Sequence, residues 1–244
     1  MIDQPTTNPS DQPAGLPEIP GGWSEQTLIL ANRELRLTLP ADPDAFLDDP
    51  KVLAANRQND YMPYWSFLWP ASLETAVAIL KHPWVPGTEV LEIGAGVALA
   101  GLAALACGLP TVISDYDPQA LELARHNANR NGWGDRVETL LLDWRSPIDR
   151  RFPVILGCEV IYERRNHELV LNVLQAMLAP GGEAWISDPG RHQVDAFLDD
   201  VSRSPFSVER RPLPREPYPG RPDGQTDLYV LRWKAGQRVA DPER

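Results

Sequence analysis

Apolar and polar positions alternate along Thr27–Leu39 (TLILANRELRLTL), and the alternation breaks around Asn32-Arg33-Glu34. Successive side chains of a strand point to opposite faces, so this pattern predicts a β-hairpin ahead of the main fold. From Ser72 the period changes. Leu73, Ala76, Val77 and Leu80 recur at helical spacing, with Ser72 as the expected N-cap. Beyond the Pro86-Gly87 turn, Glu89–Ile93 reads as a short apolar strand, and Leu99, Leu102, Ala103 and Ala106 form a helical stripe ended by Gly108. Thr111–Ser114 is the next strand. Asp117-Pro118 supplies the N-cap and first position of a helix that Asn131-Gly132 stops. Val137–Leu142 and Pro153–Cys158 follow as strands, with either one more helix or a short loop between them. Val170, Leu174, Met177 and Leu178 give a helix stopped by Pro180-Gly181-Gly182, Glu183–Ser187 a strand, and Val194, Phe197, Leu198 and Val201 a helix. Ser207–Arg211 and Leu228–Trp233 are the last two strands.

Short, fully apolar strands alternating with helices indicate a mostly parallel sheet covered on both faces. The final two strands have no helical pattern between them, which predicts an antiparallel closing hairpin. The expected fold is therefore α/β: a Rossmann-like, doubly wound, mostly parallel seven-stranded sheet with that closing hairpin, plus the small N-terminal β-hairpin. The expected organisation is a disordered tail over 1–22, punctuated by Pro5, Pro9, Pro13, Pro17 and Pro20, then the hairpin and a linker over 23–60. The main α/β domain covers 61–235 and a second tail 236–244. Ala41–Asp60 is expected to carry a short helix or loop.

Composition narrows the class. The 244 residues suit one α/β domain with elaborations, and 43% hydrophobic with 23% charged residues is ordinary for a globular chain. The net charge of -11, from 34 acidic against 23 basic residues, argues against a nucleic-acid partner. Cys107 and Cys158 lie in apolar runs with no CxxC pair, so neither a disulfide framework nor a metal site is expected. With no signal-peptide pattern and no apolar run of membrane length, the expectation is a cytoplasmic protein without a membrane partner.

Gly94 and Gly96 sit between a strand and a helix, where doubly wound sheets bind their ligands. Such a pair also serves as a plain tight turn. Leu99 stands where the dinucleotide fingerprint needs its third glycine, and the Gly-Lys-Ser/Thr of a P-loop is absent, which disfavours a diphosphate. Glu92 at the strand's mouth would repel a pyrophosphate and suit a ligand with a cationic amino-acid end, such as S-adenosylmethionine (SAM); its plain alternative is a solvated strand-end charge. Asp115, about twenty residues past the turn, has the position to accept hydrogen bonds from ribose hydroxyls. Asp117 competes with it but is better placed as a helix N-cap. Asp143-Trp144 ends the third strand, where a carboxylate can meet an adenine amino group and an aromatic can line the ring, or pack in the core.

These segments, VLEIGAG, ISDYDPQALELARHNANRNG and LLDW, resemble in order and spacing the class I, seven-strand SAM-dependent methyltransferases. PYWSFLWPAS (Pro63–Ser72) and SDPGR (Ser187–Arg191) are similar to segments of the family-16 protein-lysine methyltransferases, which include those acting on the electron-transfer flavoprotein β subunit. The resemblance implies SAM as cofactor and a protein lysine side chain as acceptor. It puts Glu92, Gly94, Gly96, Asp115, Asp143 and Trp144 on cofactor positions, and Trp69 beside the adenosine. Where many members carry DxxY, this chain has Glu159-Val160-Ile161-Tyr162, which the resemblance marks as the catalytic pair Glu159 and Tyr162. Ala98 stands where many members have a third glycine. The aromatic run Tyr61, Tyr64, Trp65, Phe67 and Trp69 reads either as an acceptor-site wall or as a hydrophobic plug under the N-terminal hairpin, and Arg191 as a loop residue able to contact substrate. A small-molecule methyltransferase and an inactive SAM-fold binding protein are the alternatives on the same fold.

Overall fold

In the computed structural model, residues 12–215 and 225–236 are described. The expected tails over 1–11 and 237–244 lie outside them. Residues 12–22, expected to extend the first tail, are instead laid onto the body. Leu16 is buried in the main core, and the Trp23 indole donates to the Pro17 carbonyl at 2.8 Å.

β1 (Trp23–Leu30) and β2 (Arg33–Pro40) pair antiparallel through a two-residue turn at Ala31-Asn32. Both turn residues have positive φ, 46° and 61°, the requirement of a turn whose twist matches the strands. Leu28, Leu35 and Leu37 are fully buried beneath it. The outer edge of β2 is closed by side-chain amides. Asn127 accepts from the Thr38 N–H at 2.7 Å and donates to the Thr38 carbonyl, and Asn131 does the same for Arg36. An edge strand presents unpaired backbone groups that have to be satisfied or guarded, and two asparagines on one helix face do so here.

The expected linker forms a 3₁₀ turn (Pro43–Asp48) and α1 (Pro50–Asn59), capped by the Asp49 carboxylate. A second 3₁₀ turn (Tyr64–Ser66) leads into α2 (Pro70–Lys81). The N-cap of α2 falls at Trp69, three residues before the expected Ser72, because Pro70 with its fixed φ fits the first helical position. The Ser72 hydroxyl bonds back to the Trp69 carbonyl instead.

The large sheet follows as β3 (Val90–Glu92), α3 (Leu99–Ala106), β4 (Thr111–Asp115), α4 (Pro118–Arg130), β5 (Val137–Leu141), β6 (Phe152–Cys158), α5 (Arg164–Met177), β7 (Leu178–Asp188), α6 (Val194–Arg203), β8 (Phe206–Pro212) and β9 (Asp227–Trp233). Its order is β5-β4-β3-β6-β7-β9-β8, parallel except for β9, which runs antiparallel between β7 and β8. A short loop joins β5 to β6, with no helix there. The order reverses direction between β3 and β4 on one side and β6 on the other, and the crevice at that switch point is the usual ligand position. Two apolar layers hold the helices on. Leu102, Ala103, Leu123 and Ala124 pack on one side of the sheet, and Val170, Leu174, Phe197 and Val201 on the other. Each large apolar side chain removed from water contributes about 1.5–3 kcal/mol.

Candidate active site

The chain leaves β3 at Glu92 and turns into α3 through Gly94 and Gly96, whose φ values of +59° and +53° lie in the left-handed region glycine enters without steric cost. Gly94 is required twice over. A Cβ there would lie 2.8 Å from Cζ2 of Trp144 and 3.1 Å from Cγ1 of Val160. Ala98, the N-cap residue of α3, takes the same region at φ 63° despite its methyl group.

Glu92 is only 2% exposed, so it is no solvated strand-end charge. Its carboxylate is turned beneath the first turn of α3, where Oε2 accepts from the Gly101 N–H at 3.0 Å. Gly101 makes room for it: a Cβ there would lie 2.5 Å from the same oxygen. Glycine inside a helix costs about 1 kcal/mol against alanine, so Gly101 within an alanine-leucine run was the available sequence signal. Burial pushes the Glu92 carboxyl up to about 8, with the nearby Asp115 adding to it. The folded state therefore holds this proton more tightly than the unfolded chain does, where the ordinary value is 4.5. The associated stability is present at low pH and is lost as pH rises from that value towards 8. Glu92→Gln removes the titration. The unfolding free energy of the variant relative to the parent is expected to rise by about 1 kcal/mol or more between pH 5 and 8.5, measured by denaturant melts at both values. A gap independent of pH would refute the assignment.

Asp115 ends β4 with both carboxylate oxygens turned inward. Oδ2 accepts from the Gly96 N–H and Oδ1 from the Asp117 N–H, each at 2.9 Å. Burial pushes it up to about 6. Each oxygen keeps a lone pair for a further donor. Asp117 caps α4 through the Gln119 N–H, as its Pro118 neighbour led one to expect, and its other oxygen accepts from the Tyr61 hydroxyl at 2.5 Å. The segment before α2 is thereby tied across the end of β4. Asp143 and Trp144 part company. Asp143 is half-exposed and held by the Arg145 guanidinium and backbone N–H, which keep its carboxyl below the usual range, while the Trp144 ring lies over Gly94.

The aromatic run is split between core and surface. Trp65 is buried against Phe46 and Trp23, with ring centroids 5.5 and 6.5 Å away, and is the plug. Tyr64, Phe67 and Trp69 face outward as a wall. Trp69 lies 5.5 Å from Phe67 and 6.2 Å from Tyr64, which stands edge-on to Tyr162 at 5.6 Å. Beyond the end of β6, beside this wall, is Glu159, 4% exposed and at φ 53°. Its Oε1 accepts from the Ala71 N–H at 2.8 Å, at the N-terminus of α2, and Oε2 is ion-paired with Arg191. The Arg191 contact is a charge pairing more than a well-angled hydrogen bond. Burial raises the Glu159 carboxyl, and Arg191 and the Ala71 N–H oppose the rise. A glutamate held in the left-handed region stores backbone strain, a feature that clusters at functional sites.

Among the described residues no helix is long and apolar enough to cross a membrane, and no group of three or more His, Cys, Asp or Glu side chains is placed to hold a metal ion.

A seven-stranded sheet in this order, with a glycine turn at its switch point and a carboxylate ending the next strand, is that of a SAM-dependent methyltransferase, and the chain is one. Within that class it belongs to the family described as lysine methyltransferase, which residues 66–203 match. The histone-arginine methyltransferase METTL23 of Xenopus laevis is 30% identical over 197 residues, covering 69% of this chain and 80% of that protein. The mouse and rat proteins of that name are covered to 47% and 58% of their length. The protein N-lysine methyltransferase METTL21A of Danio rerio is 28% identical over 154 residues, 60% of this chain and 66% of its own length. The solved glycopeptide N-methyltransferase MtfA in complex with SAM shares the fold, with TM-score 0.57 and 14% identity over 69% of this chain and 96% of that one. SAM is accordingly the cofactor. The crevice fits it: glycines leave bare backbone at the turn, Asp115 has acceptor capacity for hydroxyl donors, and Trp144 offers an aromatic flank.

Proposed function

We propose that the protein methylates a basic side chain of another protein, with lysine as the acceptor. The observation that carries this is Glu159, a buried carboxylate on a strained backbone, paired with Arg191 beside the rings of Tyr64, Trp69 and Tyr162, a cluster we read as the acceptor cleft. Cations sit well on aromatic faces and against a fixed carboxylate. The family's description and the METTL21A name support lysine. A second reading, arginine, is favoured by the guanidinium of Arg191 already lying in this cleft, and by the METTL23 relatives.

In this reading Gly94, Gly96, Asp115 and Trp144 line the cofactor, with Glu92 supporting the turn from beneath, Asp143 at the adenine end and Trp69 between cofactor and acceptor. Bound SAM supplies an already activated methyl group, so the chain's task is to orient the acceptor and present a free lone pair. A lysine ammonium, with its ordinary pKa of about 10.4, has to lose a proton first. Glu159 holds and aims the incoming amine. Burial pushes the Tyr162 phenol up to about 12, so it stays protonated and acts as wall and hydrogen-bonding group, not as a base. The reading includes one methyltransferase unit over 61–235 behind the N-terminal hairpin, and a cytoplasmic setting, supported by the two free cysteines.

Incubation with methyl-labelled SAM and a cell lysate is expected to label a protein band, and hydrolysis of that band to release methyl-lysine. Methylarginine would select the second reading. Label confined to small molecules would sink both.

A further inference from the structure

Arg191 lies in the loop between β7 and α6. Its guanidinium carbon is 5.3 Å from the ring centroid of Trp69 and 5.7 Å from that of Tyr162, and the group pairs with Glu159 Oε2. The arginine side chain is 28% exposed, while the carboxylate behind it is buried. Its backbone is pinned: Asp188 Oδ1 accepts from the Gly190 N–H at 2.8 Å and the Arg191 N–H at 2.7 Å. The long side chain thus extends from a fixed anchor.

We propose that Arg191 is a resident cation in the acceptor cleft, and that the acceptor's cationic side chain has to displace it to reach Glu159. This rests on the reading of the cleft given above. While Oε1 of Glu159 is turned to the Ala71 N–H at the start of α2, Oε2 is turned towards Arg191. Two cations competing for that oxygen and for the same ring faces repel each other, and in a partly desolvated cleft the repulsion is strong. Occupancy by Arg191 and by an acceptor is thus mutually exclusive. The resident arginine also meets a need of the empty enzyme, because a buried carboxylate without a partner is costly. Asp188 is a positioning residue in this scheme. It fixes where the arginine stem begins, and so how far the side chain swings when displaced.

The test uses n-propylguanidinium, the end of an arginine side chain, as probe, with binding followed by calorimetry on the full chain. Arg191→Ala and Arg191→Gln are both made, so that one carries the test should the other fail to fold; SAM binding serves as the folding check. Each folded variant is expected to bind the probe at least about tenfold more tightly than the parent. Adding Glu159→Gln to either is expected to abolish that gain. Variants that bind SAM yet take up the probe no better than the parent would overturn the proposal and leave Arg191 as a fixed strut. So would a gain that survives Glu159→Gln. The lysate labelling tests the function independently: a cleft that binds the probe in an enzyme that labels no protein would leave this inference standing and remove the broader reading.

Discussion

Glu159→Gln is expected to lower methyl transfer on the order of 10²-fold or more, with SAM affinity unchanged. The substitution keeps the side chain's shape, and its amide oxygen can still accept from the Ala71 N–H, so the start of α2 stays capped. What it removes is the charge facing the cleft. The amide nitrogen placed there is a donor, set against the donors of Arg191 and of any basic acceptor. Because Glu159 lies beyond β6 and its carboxylate bonds to the Ala71 N–H of α2 and pairs with Arg191, the carboxylate does not touch the glycine turn. Single-turnover rates with calorimetric SAM affinities separate the two effects. Glu159→Asp retains the charge one methylene short and is expected to keep part of the rate. A parent-like rate for Glu159→Gln would remove the carboxylate from the acceptor site.

Gly94→Ala is expected to cost SAM binding about 10²-fold and to lower the melting temperature by roughly 2–8 °C, while Gly96→Ala is milder on both counts. Both positions carry the left-handed penalty of about 1–2 kcal/mol for an L side chain. They differ in what the new methyl meets. At Gly94 it falls 2.8 Å from the Trp144 ring, a distance that forces the ring off the turn, and the ring is the aromatic flank of the crevice. At Gly96 it comes no nearer than 3.5 Å, to the backbone of Trp65, an ordinary contact. Ala98, at φ 63°, shows that this chain already tolerates one methyl group in that region where space allows. Calorimetry and thermal melts of the two variants give the order, and equal losses at both positions would reject the steric argument.

Much of the fold could be read before any coordinates. The strands of the large sheet and the helices from α2 to α6 announce themselves by period, because burial of one face imposes a repeat on the residues that supply it. Asp117-Pro118 marked the start of α4 correctly, since cap and first-turn chemistry is local. The misreadings also have local causes. Pro180-Gly181-Gly182 reads as a stop, and although β7 is bounded by Leu178 and Asp188, its ladder with β6 steps from the pair of Phe152 with Leu178 straight to that of Val154 with Glu183, so these three residues form an unpaired bulge with Gly181 at φ 75°. The polar, proline-punctuated residues before β1 read as a tail, yet Leu16 is buried in the core.

The candidate site divides along the same line. The glycine turn and Asp115 follow from sequence, because they sit at the ends of consecutive strands, and strand ends of a parallel sheet converge by topology. The surroundings of Glu159 are set by tertiary structure. Nothing in PYWSFLWP distinguishes Trp65, sunk against Phe46 and Trp23, from Trp69, turned to the cleft. Glu92 was legible as a carboxylate at the strand's mouth, but only packing against Gly101 put it beneath the helix. The Glu159 carboxylate meets the Ala71 N–H from 88 residues away and Arg191 from another loop. The sequence by itself determined which elements form and that a glycine turn joins β3 to α3, since periodicity and capping act over a few residues. Only the tertiary structure decided which side chains share the cleft and what fills it, because contacts between distant segments depend on how the layers pack.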